Sequence, residues 1–311
     1  LLDPLAQIVT LLQPSAPFSK RVSGAGPWRV CHAQLERPYY CAILEGACRL
    51  ASRDQAEILL HAGDFVLIPA VSGFEMSSLT PAGPQDLVET PVLLADGEFR
   101  VGTVAATPDV RFLVGYCAFA SPDMPLLASL LPSLIHIRGE KRLATLVQLL
   151  IDENRAQRPA REVILARLLE VLLIETLRAS AEISPAPGLL RGLADERLVQ
   201  AIRCMHDSPA EPWTVAELAQ AAALSRSAFY ERFRRVVGLT PMAYLLAWRM
   251  ALAKDLLRRR EAGIAEIAVQ VGYSSASTFT VAFTRHVGQS PASYVRMSPP
   301  GRFASPNVWP D

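Results

Sequence analysis

Residues 222–241, AALSRSAFYERFRRVVGLTP, and residues 271–291, VGYSSASTFTVAFTRHVGQSP, follow one pattern. Aligning Phe229 with Phe279 also pairs Phe233 with Phe283, Gly238 with Gly288, Thr240 with Ser290, Pro241 with Pro291 and Tyr244 with Tyr294. Upstream, Val215-Ala-Glu-Leu-Ala219 matches Ile264-Ala-Glu-Ile-Ala268, with one extra residue in the second copy. Two copies of one supersecondary unit explain the match. Whatever the first copy folds into, the second must fold into as well.

Each copy reads as a helix-turn-helix. Thr214 or Gly263 precedes a helix of about eight residues, a tight turn follows, and Ser225 or Ser274/Ser275 offers the N-cap of a second helix. Phe229, Phe233 and Val236 recur at i, i+4 and i+7 and form the buried face of that helix. Outward positions are then Arg226, Ser227, Tyr230, Glu231 and Arg234 in copy one, and Ala276, Ser277, Thr280, Val281 and Thr284 in copy two. These side chains can reach base edges if the helix lies in a major groove. Pro241 suits the first turn of a connecting helix that runs to about Arg260. Such a rod is roughly 30 Å long, against the ~34 Å repeat of B-DNA, so the two recognition helices can enter successive grooves.

Charge supports this division. Net charge is only +1, but residues 1–190 carry 16 Lys+Arg against 20 Asp+Glu, while residues 191–300 carry 14 against 9. The repeat-bearing end is the one suited to a polyanion. A length of 311 residues suggests two domains. The greasiest run, 162–177, is interrupted by Arg167, Glu170 and Glu175, and no stretch of about twenty uncharged apolar residues could span a bilayer. The N-terminal Leu-Leu-Asp-Pro lacks a basic n-region and a long apolar h-region, so a cytoplasmic, non-membrane protein is expected. Five cysteines without a CxxC pair argue against a disulfide framework and against a zinc finger.

Residues 28–79 predict short strands (WRVCHAQL, YYCAILEGACRL, EILL, DFVLIPA) broken by Glu45-Gly46 and Gly63-Asp64, and more strand-like sequence follows at FRVGTVAA and VRFLVGYCAFA. A small barrel or sandwich is the expectation. Helices follow at about 140–155 and 160–179. In the second, Arg167, Glu170, Glu175 and Arg178 occupy roughly 140° of arc, leaving about 220° apolar. Two readings remain open: a helix sandwiched within its own domain, or one that also meets a second copy of the chain. Ile183-Ser-Pro-Ala-Pro-Gly188 reads as a linker.

Residues 193–297 resemble the tandem helix-turn-helix DNA-binding domain of AraC/XylS-type transcription regulators, through LAQAAALSRSAFYERFRRVVGLTPMAYLLAWRMALAKDLL and IAEIAVQVGYSSASTFTVAFTRHVGQSPASYV. The N-terminal part resembles, more loosely, the cupin-type sensor domain of one branch of that family, through DPLAQIVTLL, YYCAILEGACRL and HAGDFVLIP. The combined reading is an α+β chain. A cupin-like β-barrel with dimerisation and linker helices from about 140 fills 1–182, a linker 183–192, the all-α tandem helix-turn-helix domain 193–297 and an irregular tail 298–311. The resemblance implies a signal-responsive regulator, usually a homodimer, that binds double-stranded promoter DNA and answers to a small-molecule effector. A contact with RNA polymerase stays open.

Family recognition helices often carry Arg where this chain has Glu231 and Val281. Arginine is the commonest reader of guanine, so direct readout must use other chemistry. Val281 can touch a thymine methyl, and Tyr230, Ser227, Ser277 and Thr280 can hydrogen-bond. Glu231 can accept from cytosine N4 or pair with Arg234 or Arg235. Ser225, Arg226, Arg234, Arg235, Thr240, Arg285 and Ser290 are candidates for phosphate contacts. In the barrel, Tyr40 and Phe74 stand where cupin enzymes place metal-binding histidines, and His32 and His61 are isolated. No metal, no cofactor and no catalysis are expected. The rival is a cupin-type metal-dependent enzyme fused to a DNA-binding domain. Trp28, Tyr39, Tyr40, Phe65 and Phe74 are candidates to line an effector pocket, unless they simply fill the core. Cys31, Cys41, Cys48 and Cys117 lie in apolar strand sequence and read as small hydrophobes. Arg49 beside Cys48 keeps a thiol sensor as the other reading.

Overall fold

In a computed structural model the chain is described over residues 3–12, 14–32, 38–52, 55–68, 73–81, 83–88, 90–119, 134–156, 158–183 and 188–297. The expected tail, 298–311, lies outside the described residues. The chain divides into two compact units.

One unit is a curled sheet of β1 (Pro14–Ala25), β2 (Arg29–His32), β3 (Tyr39–Ser52), β4 (Gln55–His61), β5 (Phe65–Ile68), β6 (Phe74–Ser77), β7 (Val92–Leu93), β8 (Phe99–Gly102), β9 (Val110–Phe119) and β10 (Ile135–Ile137). Strand order along the main path is β10-β5-β3-β9-β1-β8-β7, antiparallel except where β1 meets β8. The curl centres on β3. Its first half pairs with β5 and β9, its second half with β4 and β6, and the register slips between Ile43 and Glu45. A bulge of this kind bends the strand and lets one chain segment serve both sides of a half-barrel. Tyr39, Cys41, Ile43, Val66, Ile68 and Phe112 point into one core. Strict alternation sends Tyr40, Ala42 and Phe65 to the opposite face. Two helices belong to this unit, α2 (Lys141–Ala156) and α3 (Arg161–Ile183), and α3 packs on β1.

In the other unit lie α4 (Leu189–Ala194), α5 (Leu198–Asp207), α6 (Val215–Ala221), α7 (Arg226–Val237), α8 (Pro241–Arg259), α9 (Ile264–Gln270), α10 (Ala276–Val287) and α11 (Pro291–Met297). It also contains α1 (Pro4–Leu12), which precedes the strands in sequence but packs on α4, α5 and α8. Part of the expected linker is helical. Residues 184–187 lie outside the description, but Leu189 and Leu190 begin α4 and are buried, an apolar pair the linker reading passed over.

Candidate nucleic-acid interface and sensor recess

The duplicated pattern folds twice in the same way. Ser225 and Ser275 cap α7 and α10, accepting from the backbone N–H of Ala228 and Thr278 at 3.3 and 3.2 Å. Both helices end on a glycine in the left-handed region, Gly238 at φ 87° and Gly288 at φ 84°, a conformation that disfavours a Cβ. Phe229 and Phe233 are fully buried with ring centroids 5.6 Å apart, and Phe279 and Phe283 repeat the arrangement at 5.5 Å. Burying each such ring contributes roughly 1.5–3 kcal/mol. Thr240 and Ser290 cap the following helices, accepting from Ala243 and Ser293. These cap oxygens are occupied as acceptors, and their O–H groups remain able to donate.

With the phenylalanines inward, the remaining positions face out. On α7, Arg226, Ser227, Glu231, Arg234 and Arg235 are exposed and Tyr230 is half-buried. On α10, Ser277, Thr284, Arg285 and Val281, the last 70% exposed, stand outward, with Ala276 and Thr280 half-buried. The Thr280 hydroxyl donates to the Ala276 carbonyl at 2.7 Å, so toward a ligand it is an acceptor. Among the described residues Glu231 makes no ion pair, so the pairing with Arg234 or Arg235 is not formed. Arg226, Arg234, Arg235 and Arg285 likewise carry no carboxylate partner among the described residues.

Arg232, not singled out by sequence, does have a partner. Its Nε donates to Asp195 Oδ2 at 2.9 Å, and its Nη2 forms an ion pair with the same oxygen at 2.9 Å. Burial pushes the Asp195 carboxyl up, but Arg232 and the backbone N–H groups of Leu198 and Arg197 outweigh it and hold the acid low. The pair ties α7 to the start of α5. A second tie is His206, buried beneath α1. Its Nδ1 meets Gln7 Oε1 at 3.1 Å, its Nε2 meets the Tyr244 hydroxyl at 2.5 Å, and its ring stacks on Trp248 at 3.9 Å. Burial pulls its pKa down to about 3, so it is neutral at pH 7. Gln7 and His206 lie 199 residues apart, and no local pattern could have joined them.

In the sheet unit a recess of about 50 Å³ is lined by Trp28 and Tyr39 together with Val22, Phe99, Phe112 and Tyr116. Of the five candidate pocket residues, these two line it. Phe74 backs them, its ring 4.7 Å from both Tyr39 and His32. Tyr40 and Phe65 do not belong to the recess. They stack on each other at 6.3 Å on the other face of the sheet, and the Tyr40 hydroxyl bonds Ser19 Oγ. Adjacent residues of a strand cannot share a face, so Tyr39 and Tyr40 could not both have lined one cavity. Sequence reasoning also missed Lys20, whose ammonium sits 3.9 Å above the Phe99 ring at the recess.

His32 lies against Tyr39 and Phe74, and burial lowers its pKa to about 4. Among the described residues no three His, Cys, Asp or Glu side chains gather as a metal site. Burial pushes the Cys48 thiol up to about 12 and raises Cys41 well above its usual value. The exposed Cys31 thiol is also raised, by burial of its neighbourhood and by its bond to Glu75. Arg49 is engaged with Glu57 at 2.5 Å. All three shifts disfavour the thiolate; the Cys117 side chain lies outside the description.

The sequence matches the family described as Cupin over residues 3–182 and the family described as Helix-turn-helix domain over residues 218–297. It is 35% identical over 300 residues to a Streptomyces antibioticus protein named as an AraC-like transcription regulator, covering 94% of this chain and 98% of that one. It is 32% identical over 269 residues to the HTH-type transcriptional regulator AlkR of Acinetobacter baylyi, covering 82% of this chain and 87% of the relative. Among solved structures it is similar to the DNA-binding domain of AdpA in complex with a target DNA, with 29% identity, 33% of this chain and 91% of that chain covered, and a TM-score of 0.31. It is also similar to unsaturated fatty acid bound ToxT from Vibrio cholerae, with 12% identity, 91% and 94% coverage, and a TM-score of 0.38.

Proposed function

The chain belongs to the AraC-type transcription regulators that carry a cupin domain ahead of a helix-turn-helix domain, and we propose from that premise how its own residues read DNA and sense a signal. It is a DNA-binding regulator of transcription. The observation that carries the reading is the pair of helices α7 and α10, alike in their buried faces and unlike in their exposed ones.

In this reading α7 reads bases with Arg226, Ser227, Tyr230 and Glu231, whose unpaired carboxylate suits cytosine N4. The α10 helix reads with Ala276, Ser277, Thr280 and Val281, the last packing on a thymine methyl. Phosphates are held by Arg234, Arg235 and Arg285 and by the O–H groups of Ser225, Thr240 and Ser290. Selection of bound duplexes from a random-sequence pool, repeated with Tyr230→Ala and Thr280→Ala, tests the assignment. Each variant should relax preference at its own bases; unchanged preferred sequences in both would refute it.

The effector reading rests on the recess. Its walls are apolar, His32 is neutral, and Lys20 is the cation at its edge. An apolar molecule with one anionic or hydrogen-bond-accepting end fits that chemistry. Occupation changes transcription only if the ligand binds the two arrangements of the regulator with different affinity. The chain acts by binding and not by catalysis; stoichiometric iron or manganese in the purified protein would overturn this. A second copy packs on α3, which leaves Val163, Ile164 and Val171 exposed although Leu165, Leu169 and Leu172 are buried. No single described helix is long and apolar enough to cross a membrane; in this reading the chain works on promoter DNA in the cytoplasm.

A further inference from the structure

The two halves of the DNA-binding unit share one helix. The first part of α8 sets Tyr244 against Phe233 and Trp248 against His206, and its second part supplies Met250, Ala253 and Leu257 to the core of Phe279 and Phe283. At 1.5 Å per residue the 19-residue rod is about 28 Å long, which sets how far apart the halves lie along its axis. A rod alone does not set their rotation about that axis. Something must lock the angle if both reading helices are to meet one duplex.

Arg249 sits where the helix changes from one core to the other. Its Nε donates to the Pro209 carbonyl and its Nη2 to the Glu211 carbonyl, both at 2.7 Å. These carbonyls belong to the loop between α5 and α6 in the first half, a loop that also holds Trp213 Nε1 on the Ser208 carbonyl at 2.9 Å. Against the same guanidinium lies Gly272, the turn between α9 and α10 in the second half. A Cβ there would stand 2.8 Å from Arg249 Nη2 and 2.8 Å from the Ala210 carbonyl oxygen. The next residue, Tyr273, interacts with Arg249 electrostatically and sets its ring edge-on to Phe279 of α10 at 5.7 Å. Loop 209–211, the arginine fork and the Gly272 turn therefore form one seam across the two halves.

We propose that Arg249 is a positioning residue that fixes the angle between the two DNA-reading helices, so that the chain measures the spacing between its two half-sites. This rests on the reading that α7 and α10 engage one duplex. The planar fork serves two carbonyls at once in one fixed geometry, which the rotatable ammonium of a lysine does not impose. The close approach of Gly272 leaves no slack for the turn to rock against the loop. Inserting one base pair between half-sites moves the second by about 3.4 Å and rotates it by about 34°. A locked seam cannot follow that rotation; an unlocked one can.

The test uses the full-length chain and a duplex selected from a random pool by the wild-type protein. Binding is measured on that duplex, on the same duplex with one base pair inserted between half-sites, and on duplexes with either half-site scrambled. Wild type should lose about 100-fold on insertion, the low end of what linking two contacts adds. R249M should bind a single half-site as wild type does, yet lose only about 3-fold on insertion because the two contacts are no longer held in register. R249K should fall between them, and G272A, which pushes the seam open with Arg249 still present, should follow R249M.

An unchanged insertion penalty in folded R249M overturns the proposal, as does a loss that is equal on single and double half-sites. If R249M fails to fold, R249K decides by the same ratio of insertion penalty to half-site affinity. Wild-type indifference to scrambling the second half-site would instead refute the two-groove reading itself, a result distinct from any effect of Arg249.

Discussion

The α7 and α10 helices rest on matching phenylalanine pairs, each completed by a tyrosine from the next helix. Tyr244 lies 5.8 Å from Phe233, and Tyr294 lies 5.6 Å from Phe283. Outside, the two differ. α7 carries Arg226, Arg234 and Arg235 around Tyr230 and Glu231, whereas α10 offers small and apolar groups until Arg285. The difference separates two kinds of constraint. Buried positions must match because the packing they make is the same; exposed positions are not held by that packing and are free to diverge. In the proposed reading the same scaffold serves as an electrostatic anchor in one half and as a shape and methyl reader in the other.

The inner likeness is tested by truncation. Phe233→Ala and Phe283→Ala each remove a fully buried ring, and each should cost about 3–5 kcal/mol in denaturant unfolding. Comparable losses would support equivalent scaffolds. A cost below about 1 kcal/mol at one site would break the equivalence.

Acid should separate the halves. His206 is buried in the first half, between Gln7, Tyr244 and Trp248, whereas His286 of α10 is exposed. The folded pKa of His206, about 3, lies below the unfolded value of 6.5. Below pH 6.5 the unfolded chain takes up the proton that the folded chain refuses, so stability present at neutral pH is lost as pH falls toward 3. The slope is about 1.4 kcal/mol per pH unit, or roughly 2 kcal/mol by pH 5. Unfolding monitored by Trp213 and Trp248 fluorescence should show the loss, and His206→Gln should flatten it. A slope unchanged in that variant would place the titrating group elsewhere.

Much of the DNA-binding unit was legible because its rules are local. Phe at i and i+4, a capping Ser, a left-handed Gly and a Pro in the first helical turn lie within twenty residues of one another, and the structure assembles them as their spacing implies. The sensor was less legible. Its aromatics were visible, but which face each one takes depends on strand phase, and the neighbouring Tyr39 and Tyr40 had to part. The hydrogen bonds of Arg249 to the 209–211 loop and the Gln7–His206 contact join residues 38 or more apart, and no spacing rule connects them. Leu189 and Leu190 were overlooked for another reason. The Pro and Gly before them dominated the reading of a segment too short to show a helical period.

The outer difference is sharpened by salt. Each phosphate contact removed should reduce the slope of log affinity against log salt by about 0.9. Replacing Arg234 and Arg235 together by Ala should lower it by about 1.8, and Arg285→Ala by about 0.9. Arg232→Ala, already engaged with Asp195, should leave the slope nearly unchanged. Equal changes for the α7 pair and for Arg285 alone would show that the anchor is not concentrated in the first half.

The smallest expected effect concerns the first helix of each copy. Thr214 caps α6 through a reciprocal pair: its Oγ1 accepts from the Glu217 N–H at 3.2 Å, and its own N–H donates to Glu217 Oε2 at 2.8 Å. Glu217 is held below the usual carboxylate range by that contact. In the second copy Gly263 stands at the same place with extended backbone, φ −74° and ψ 159°, and no side-chain bond; a Cβ there would meet open space. Thr214→Ala should therefore destabilise by about 1 kcal/mol, while Gly263→Ser should stabilise by a few tenths, since glycine is only slightly worse than serine as an N-cap. Opposite signs in the two thermal melts would show that the second copy lacks a cap the first copy uses. A stability loss in Gly263→Ser would mean that the flexibility of that entry is needed by the fold.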